Sequence, residues 1–187
     1  MSLLATLATQ LAARPAEVAS DPDRPRAAVA LLLVPEPDSI LVIRRAEHEG
    51  DRWSGQLAFP GGRWSPGDLD LATTARRETL EEVGLDLAAA ACLGVLDDLA
   101  PRTPVLPSIL VRPFVYALPG RVPLTLNQEV AGAWWVPFAD FRRPGTYRPT
   151  EFRRYGTLVR TQGYHLEFGV LWGITERILT PFLELTR

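Results

Sequence analysis

The chain has 187 residues, 47% of them hydrophobic and 22% charged, with a formal net charge of -2 at pH 7. That balance suits one globular domain with a real core and excludes a protein that holds nucleic acid by bulk positive charge. All 20 basic residues are Arg, so lysine Schiff-base and amine-nucleophile chemistry is ruled out, and the lone cysteine, Cys92, leaves no internal disulfide or cysteine-rich zinc site.

The first segment, "MSLLATLATQLAAR", spaces Leu3, Leu4, Leu7, Ala8 and Leu11 as an amphipathic helix does. It is expected to cover the sheet or to pair with a second copy of the chain in a homodimer. It lacks the basic start and long apolar stretch of a signal peptide, and no apolar run in the chain is long enough to span a membrane, so a cytoplasmic protein with no membrane partner is the expectation. A Pro-rich linker, "RPAEVASDPDRP", follows, and the chain is expected to divide into a helical extension and linker, 1–25, and a domain, 26–187. Within the domain "RAAVALLLV" reads as a central strand and "SILVIRR" as its neighbour, joined by a turn at "PEPDS". Residues 46 to 58 read as a polar loop, and Pro60-Gly61-Gly62 as a tight turn.

Leu71 to Val83 is free of Gly and Pro and is followed by Gly84, which suits the left-handed position past a helix end. Strand-like stretches follow at "CLGVLDDL", "ILVRPFVYAL" and "AWWVPF", with Cys92 read as a buried structural thiol among small residues. "TLVRTQGYHLEFG" reads as a hairpin turning near Gly163, and "GVLWGITERILTPFLEL" as a helix broken or ended near Pro181. The whole predicts an α+β fold: a mixed, mainly antiparallel sheet with a few helices.

On the 71–83 helix, Glu78, Glu81 and Glu82 share one face, since each residue turns the chain by ~100°. Ala72, Ala75, Thr79 and Val83 form an adjacent stripe that can pack on a sheet. Like charges three and four residues apart repel, so either this is a solvated acidic face or something offsets the repulsion. Gly61 and Gly62 permit close backbone approach to a ligand, Asp68 and Asp70 supply further carboxylates or caps, and Arg77 can orient a carboxylate. Hard oxygen donors without nearby His or Cys select Mg²⁺ or Mn²⁺, completed by water and substrate phosphate.

This stretch resembles the Nudix box, G-x5-E-x7-R-E-U-x-E-E-x-G-U, with U aliphatic. Gly62, Arg77, Glu78, Glu81, Glu82, Gly84 and Leu85 match it. The sequence departs in having Asp68 for the first Glu, eight residues before Arg77 instead of seven, and Thr79 for the aliphatic residue. The resemblance implies an α/β/α sandwich with a loop-helix-loop catalytic motif and metal-assisted hydrolysis of a diphosphate. It also implies Glu78 and Glu82 as metal ligands, Glu81 as a further ligand or the catalytic base, Arg77 as their anchor, and a helper acid from a later loop, for which Glu129 is the candidate.

Upstream, "LVIRRAEHEGDRWSGQLAFPGG" is similar to the motif of coenzyme A pyrophosphatases: Arg45, Ala46, Gly55, Phe59, Pro60, Gly61 and Gly62 fall on it, and Arg52 sits one residue out of step. Downstream, "VLWGITERIL" resembles that subfamily's W-G-x-T-x-R-I-L helix. The implied substrate is coenzyme A or a derivative, cleaved to 3',5'-ADP and 4'-phosphopantetheine or its acyl form. Arg45, Arg52 and Arg63 are the candidate phosphate contacts, with Gly61 and Gly62 at the substrate. Trp53 and Trp64 are either adenine platforms or packing residues, and His48 and His165 have no metal-pair spacing. Alternatives are another nucleoside diphosphate derivative (an ADP-sugar, a dinucleotide or an oxidised nucleotide) and a ligand sensor that kept the fold without catalysis.

Overall fold

The computed structural model describes residues 3–19, 21, 23–51, 53–101, 108–154 and 157–186. Helix α1, Leu3–Ala13, precedes β1, Arg26–Val34, and β2, Ser39–Arg45. Two short strands, β3 at Leu57–Ala58 and β4 at Gly61–Arg63, lead into α2, Leu71–Val83. Then come β5, Ala91–Val95, β6, Leu110–Ala117, β7, Val130–Pro137, and α3, Phe138–Arg142. Strands β8, Tyr147–Arg154, β9, Thr157–Leu166, and β10, Gly169–Trp172, precede the closing helix α4, Ile174–Leu185.

The main sheet has seven strands in the path β3-β2-β1-β6-β5, with β4 on β1 and β7 on β2, and a second sheet runs β10-β9-β8. Among the described residues only β1 and β6 pair in parallel and the other pairings are antiparallel, which agrees with the mixed, mainly antiparallel sheet read from the sequence.

Strand β1 is apolar nearly throughout because helices cover both faces of the sheet. Ala28, Ala30, Leu32 and Val34 pack toward α2 with Ala75 and Val83, whereas Ala27, Leu31 and Leu33 join a second core containing Leu7 and Leu11 of α1 and Ile178, Leu179 and Phe182 of α4. Each such leucine or isoleucine contributes ~1.5–3 kcal/mol by leaving water. The N-terminal helix thus covers the sheet. It is held there also by Arg14 on Asp97 and by the Glu17 and Ala19 amides on Asp97 and Asp98, each at 2.9 Å.

Five local expectations need correction. The helix read from Gly169 begins only at Ile174, because Gly169–Trp172 pairs with β9 as β10. Gly61-Gly62 is part of a strand, not a turn: β4 lies antiparallel to Ala27–Val29, and a β-carbon on Gly61 would stand 2.2 Å from the Ala28 carbonyl oxygen. Gly163 lies inside β9 opposite Trp172, and the chain reverses at Glu167–Phe168 instead. Helix α4 continues through Pro181 to Leu185, because the turn beyond it buries Phe182 and Leu183, which offsets the lost backbone hydrogen bond. Cys92 is exposed, since β5 is an edge strand and the pairing register shifts between Cys92 and Gly94.

Candidate active site

Helix α2 is fixed at both ends. Asp70 caps its start by accepting from the Thr73 amide at 2.7 Å, and Gly84 ends it with φ 71°, its amide donating to Leu80. Ala75, Thr79 and Val83 are fully buried against the sheet. Thr79 fits where an aliphatic residue is usual because its hydroxyl donates to the Ala75 carbonyl at 2.7 Å, leaving the methyl for the core.

Arg77 anchors the acidic face. It donates to Asp68 from Nε at 2.9 Å and from Nη2 at 3.0 Å, to Glu78 from Nη1 at 2.8 Å and to Glu81 from Nη1 at 3.2 Å. Asp68 is buried and also accepts from the Ser65 amide at 3.0 Å and the Thr74 hydroxyl at 2.9 Å. The Arg77 hydrogen bonds hold its carboxyl well below the usual range, against the opposing effect of burial. Asp68 therefore buttresses Arg77, and the shorter Asp arm serves because the loop carries it to the guanidinium.

Glu78, Glu81 and Glu82 diverge more than a shared helix face suggests. Glu82 is 1% exposed, and its Oε2 accepts from the Gly61 amide at 2.8 Å while Oε1 lies 3.7 Å from Arg45 Nη1. Glu78 is half-buried, its carboxylate lying over Gly62 so closely that a β-carbon there would come within 2.3 Å of Cδ. Glu81 is exposed at the rim, turned toward Arg77, and does not line the pocket. Glycine at 61 and 62 is what lets the β4 backbone meet two carboxylates: an amide for one, empty space for the other.

These groups open onto a cavity of about 350 Å³. Glu78, Glu82 and Glu129 line it with Arg45 and Arg63, and so do the apolar side chains of Val29, Phe59, Ile109, Val111, Ile174 and Ile178. Glu129 is brought there by the turn before β7, where its amide donates to the Asn127 side chain and its carbonyl accepts from Ala46. Burial, chiefly, pushes Glu82 up to about 7; the Gly61 amide and Arg45 pull it back, and Glu78 and Glu129 add repulsion. Glu78 is raised in the same way by burial, against Arg77, with Glu81 and Glu129 contributing.

Among the described residues no three Asp, Glu, His or Cys side chains close into a ready metal cage. Glu78 and Glu81 rest instead on Arg77, and Glu82 on the Gly61 amide. The donor set still fits a hard cation: Glu78, Glu82 and Glu129 are all oxygen donors, Glu129 adds repulsion at both Glu78 and Glu82, and a divalent ion offsets that repulsion.

The sequence-derived candidates fall into three groups. Glu78, Glu82, Glu129, Arg45, Arg63, Gly61 and Gly62 meet at the cavity, as does Trp53. Arg77 and Glu81 lie just outside it, and Trp64 lies over Arg26, donating its indole N–H to the Asp68 carbonyl. Arg52 falls outside the described residues. Asp51, missed in the sequence, accepts from Arg45 at 3.1 Å and ties the 46–56 loop to the pocket. A lone loop acid carries no signal for this, since only the chain reversal brings it to Arg45.

The sequence profile of the NUDIX domain matches residues 23–155. A protein of Schizosaccharomyces pombe is 42% identical over 110 residues, 56% of this chain, and the chain spans about one third (33%) of that relative's length. An uncharacterized Nudix hydrolase, NudL, of Yersinia pestis is 34% identical over 157 residues, covering 82% of this chain and 76% of its own. A MutT/nudix family protein from Enterococcus faecalis superposes with a TM-score of 0.58 at 18% identity, over 94% of this chain and 66% of that one, which shows the shared fold. A C. elegans Ap4A hydrolase superposes with a TM-score of 0.51 at 19% identity, over 62% of this chain and 82% of that one. With its domain profile, its arginine-anchored acidic helix and its α/β/α architecture in agreement, the chain belongs to the Nudix hydrolase family.

Proposed function

We propose that the protein hydrolyses the diphosphate of coenzyme A or its derivatives with a bound Mg²⁺ or Mn²⁺, releasing 3',5'-ADP and 4'-phosphopantetheine or its acyl form. The observation that carries this reading is that one cavity is lined by two sets of side chains, the acidic Glu78, Glu82 and Glu129 and the apolar Val29, Phe59, Ile109, Val111, Ile174 and Ile178. A metal-held diphosphate fits the first, and the second suits an uncharged, extended arm. A nucleotide sugar would place many hydroxyls against Val29, Ile109 and Ile178, with little to bond them.

Glu78, Glu82 and Glu129 would hold the cation, and Arg77 keeps Glu78 aimed by a 2.8 Å hydrogen bond. The bound cation would polarise the phosphoryl oxygens and lower the pKa of the attacking water. Glu81, at the rim and tethered to Arg77 at 3.2 Å, would serve as a further ligand or as the base by turning from Arg77 toward the cavity. Arg45 and Arg63 face the cavity with guanidinium groups suited to bidentate phosphate contact. Gly61 and Gly62 leave the β4 backbone open to the phosphates.

The test is to incubate the protein with coenzyme A and Mn²⁺ in ¹⁸O-water and weigh the products. Label in one phosphate of the expected pair supports the reading. Turnover of an ADP-sugar or a dinucleotide exceeding that of coenzyme A by orders of magnitude overturns the substrate while leaving the chemistry.

A further inference from the structure

Beside the carboxylate cavity lies a second, open cleft of about 830 Å³, between the 46–56 loop and the β8–β10 sheet. The two share Arg45, Asp51, Gln56 and Leu57, so a molecule held at Arg45 can extend into both. Arg44 and Arg45 are neighbours on β2, where the pairing with β7 shifts register between them, and both line the second cleft. Arg45 goes to Asp51 and Glu82. Arg44 lies over the Trp134 ring, 5.4 Å from its centroid, and lines the second cleft.

Trp134 is itself stacked on Phe168, 4.1 Å between centroids and 7° between planes, so the three groups form a rigid pile. A guanidinium stacked on its face keeps its N–H edge for an oxyanion and loses little freedom when it binds one. No ion pair engages Arg44 among the described residues. Phe152 and Trp172, with ring centroids 4.2 Å apart and tilted by 55°, also line the cleft. Aromatic faces of this kind take a nucleobase by stacking. Of the two carboxylates present, Asp51 is taken by Arg45, and Glu47 remains as an acceptor suited to an exocyclic amine.

We infer that the second cleft receives the phosphorylated nucleoside end of the substrate, with a purine against Phe152 and Trp172 and a phosphomonoester on Arg44. The inference rests on the proposed diphosphate chemistry, and it assigns the two ends: nucleotide in the open cleft, uncharged arm along the apolar side chains of the first cavity, scissile bond between them at Arg45.

The experiment is calorimetry with adenosine 3',5'-bisphosphate, which has no diphosphate to cleave, in EDTA. The expected result is saturable binding to the wild-type protein, weakened at least tenfold by Arg44→Gln and by Trp172→Leu and largely kept by Arg44→Lys. Adenosine 5'-monophosphate should lose under twofold in Arg44→Gln, since it lacks the 3'-phosphate that Arg44 reads. Retention of the Arg44→Lys complex shows that the site tolerates a change at 44 without collapse. No saturable binding to the wild type, or equal binding of the bisphosphate to Arg44→Gln, overturns the assignment. If coenzyme A is not hydrolysed, the substrate reading falls while this binding test still stands. If it is hydrolysed and Arg44→Gln binds the bisphosphate as the wild type does, the cleft assignment alone falls.

Discussion

The Glu78 carboxylate occupies the space that a side chain on residue 62 would need, with Cδ and Oε1 both 2.3 Å from the position of a β-carbon there. Gly61, one residue earlier, is constrained by backbone instead: φ is 152°, and its β-carbon would meet the Ala28 carbonyl at 2.2 Å and Val29 Cα at 2.6 Å. Two adjacent glycines thus serve different ends, one holding β4 on β1 and the other seating a carboxylate.

Gly62→Ala should therefore fold, because the flexible end of Glu78 can swing aside, and should lose activity about 100-fold as a metal ligand leaves its place. Gly61→Ala should lose at least ~2 kcal/mol of stability, since backbone cannot yield in the same way. Urea unfolding alongside a rate assay separates the two. Equal effects on both readouts from both variants would contradict the division of roles.

Asp68→Ala should destabilise the protein by ~2–3 kcal/mol, at or just below the low end of the ~3–5 kcal/mol for breaking a buried pair, because Arg77 keeps some contact with water. The side chain of Asp68 is 3% exposed and that of Arg77 31%. Activity should fall as well, because the freed guanidinium no longer aims Glu78. Unchanged unfolding in urea would remove Asp68 as the buttress.

Stability without metal should carry the mark of Glu82. Burial raises its pKa from 4.5 to about 7, so the folded chain binds a proton that the unfolded chain has released. The sign is that of a raised acid: the stabilisation is complete below pH 4.5 and is lost as pH rises through 7. Glu82→Gln removes this loss, so in EDTA its stability relative to wild type should improve by ~3 kcal/mol between pH 4.5 and 8. A pH-independent difference between the two proteins would contradict the burial of Glu82.

Much of this arrangement was legible in the sequence where local and tertiary signals agree. Leu71–Val83 has no Gly or Pro, a cap at each end and a small-residue stripe, and it forms the helix with those bounds. The apolar runs of β1 and β2 likewise specify strands buried on both faces. What was hidden depends on partners distant in the chain. A Gly-Gly pair has no strand preference of its own, and β4 exists because β1 offers it a ladder. Pro181 reads as a break, yet the burial of Phe182 outweighs it. The meeting of Arg44, Trp134, Phe152 and Trp172 joins four strands and leaves no local trace.

Glu82→Gln should cost at least ~100-fold in rate with little loss of fold, since a neutral amide of the same shape can keep the Gly61 hydrogen bond through its oxygen while giving up the charge. A rate within a few-fold of wild type would take Glu82 out of the reaction.

The most direct measurement is manganese binding followed by electron paramagnetic resonance, on the wild-type chain and on a Glu78→Gln, Glu82→Gln double variant shown to be folded by circular dichroism. Saturable Mn²⁺ uptake by the wild type, weakened at least tenfold in the double variant, is the result expected of carboxylates that seat a cation above β4. Equal uptake by both proteins, or none by either with a diphosphate present, would contradict it.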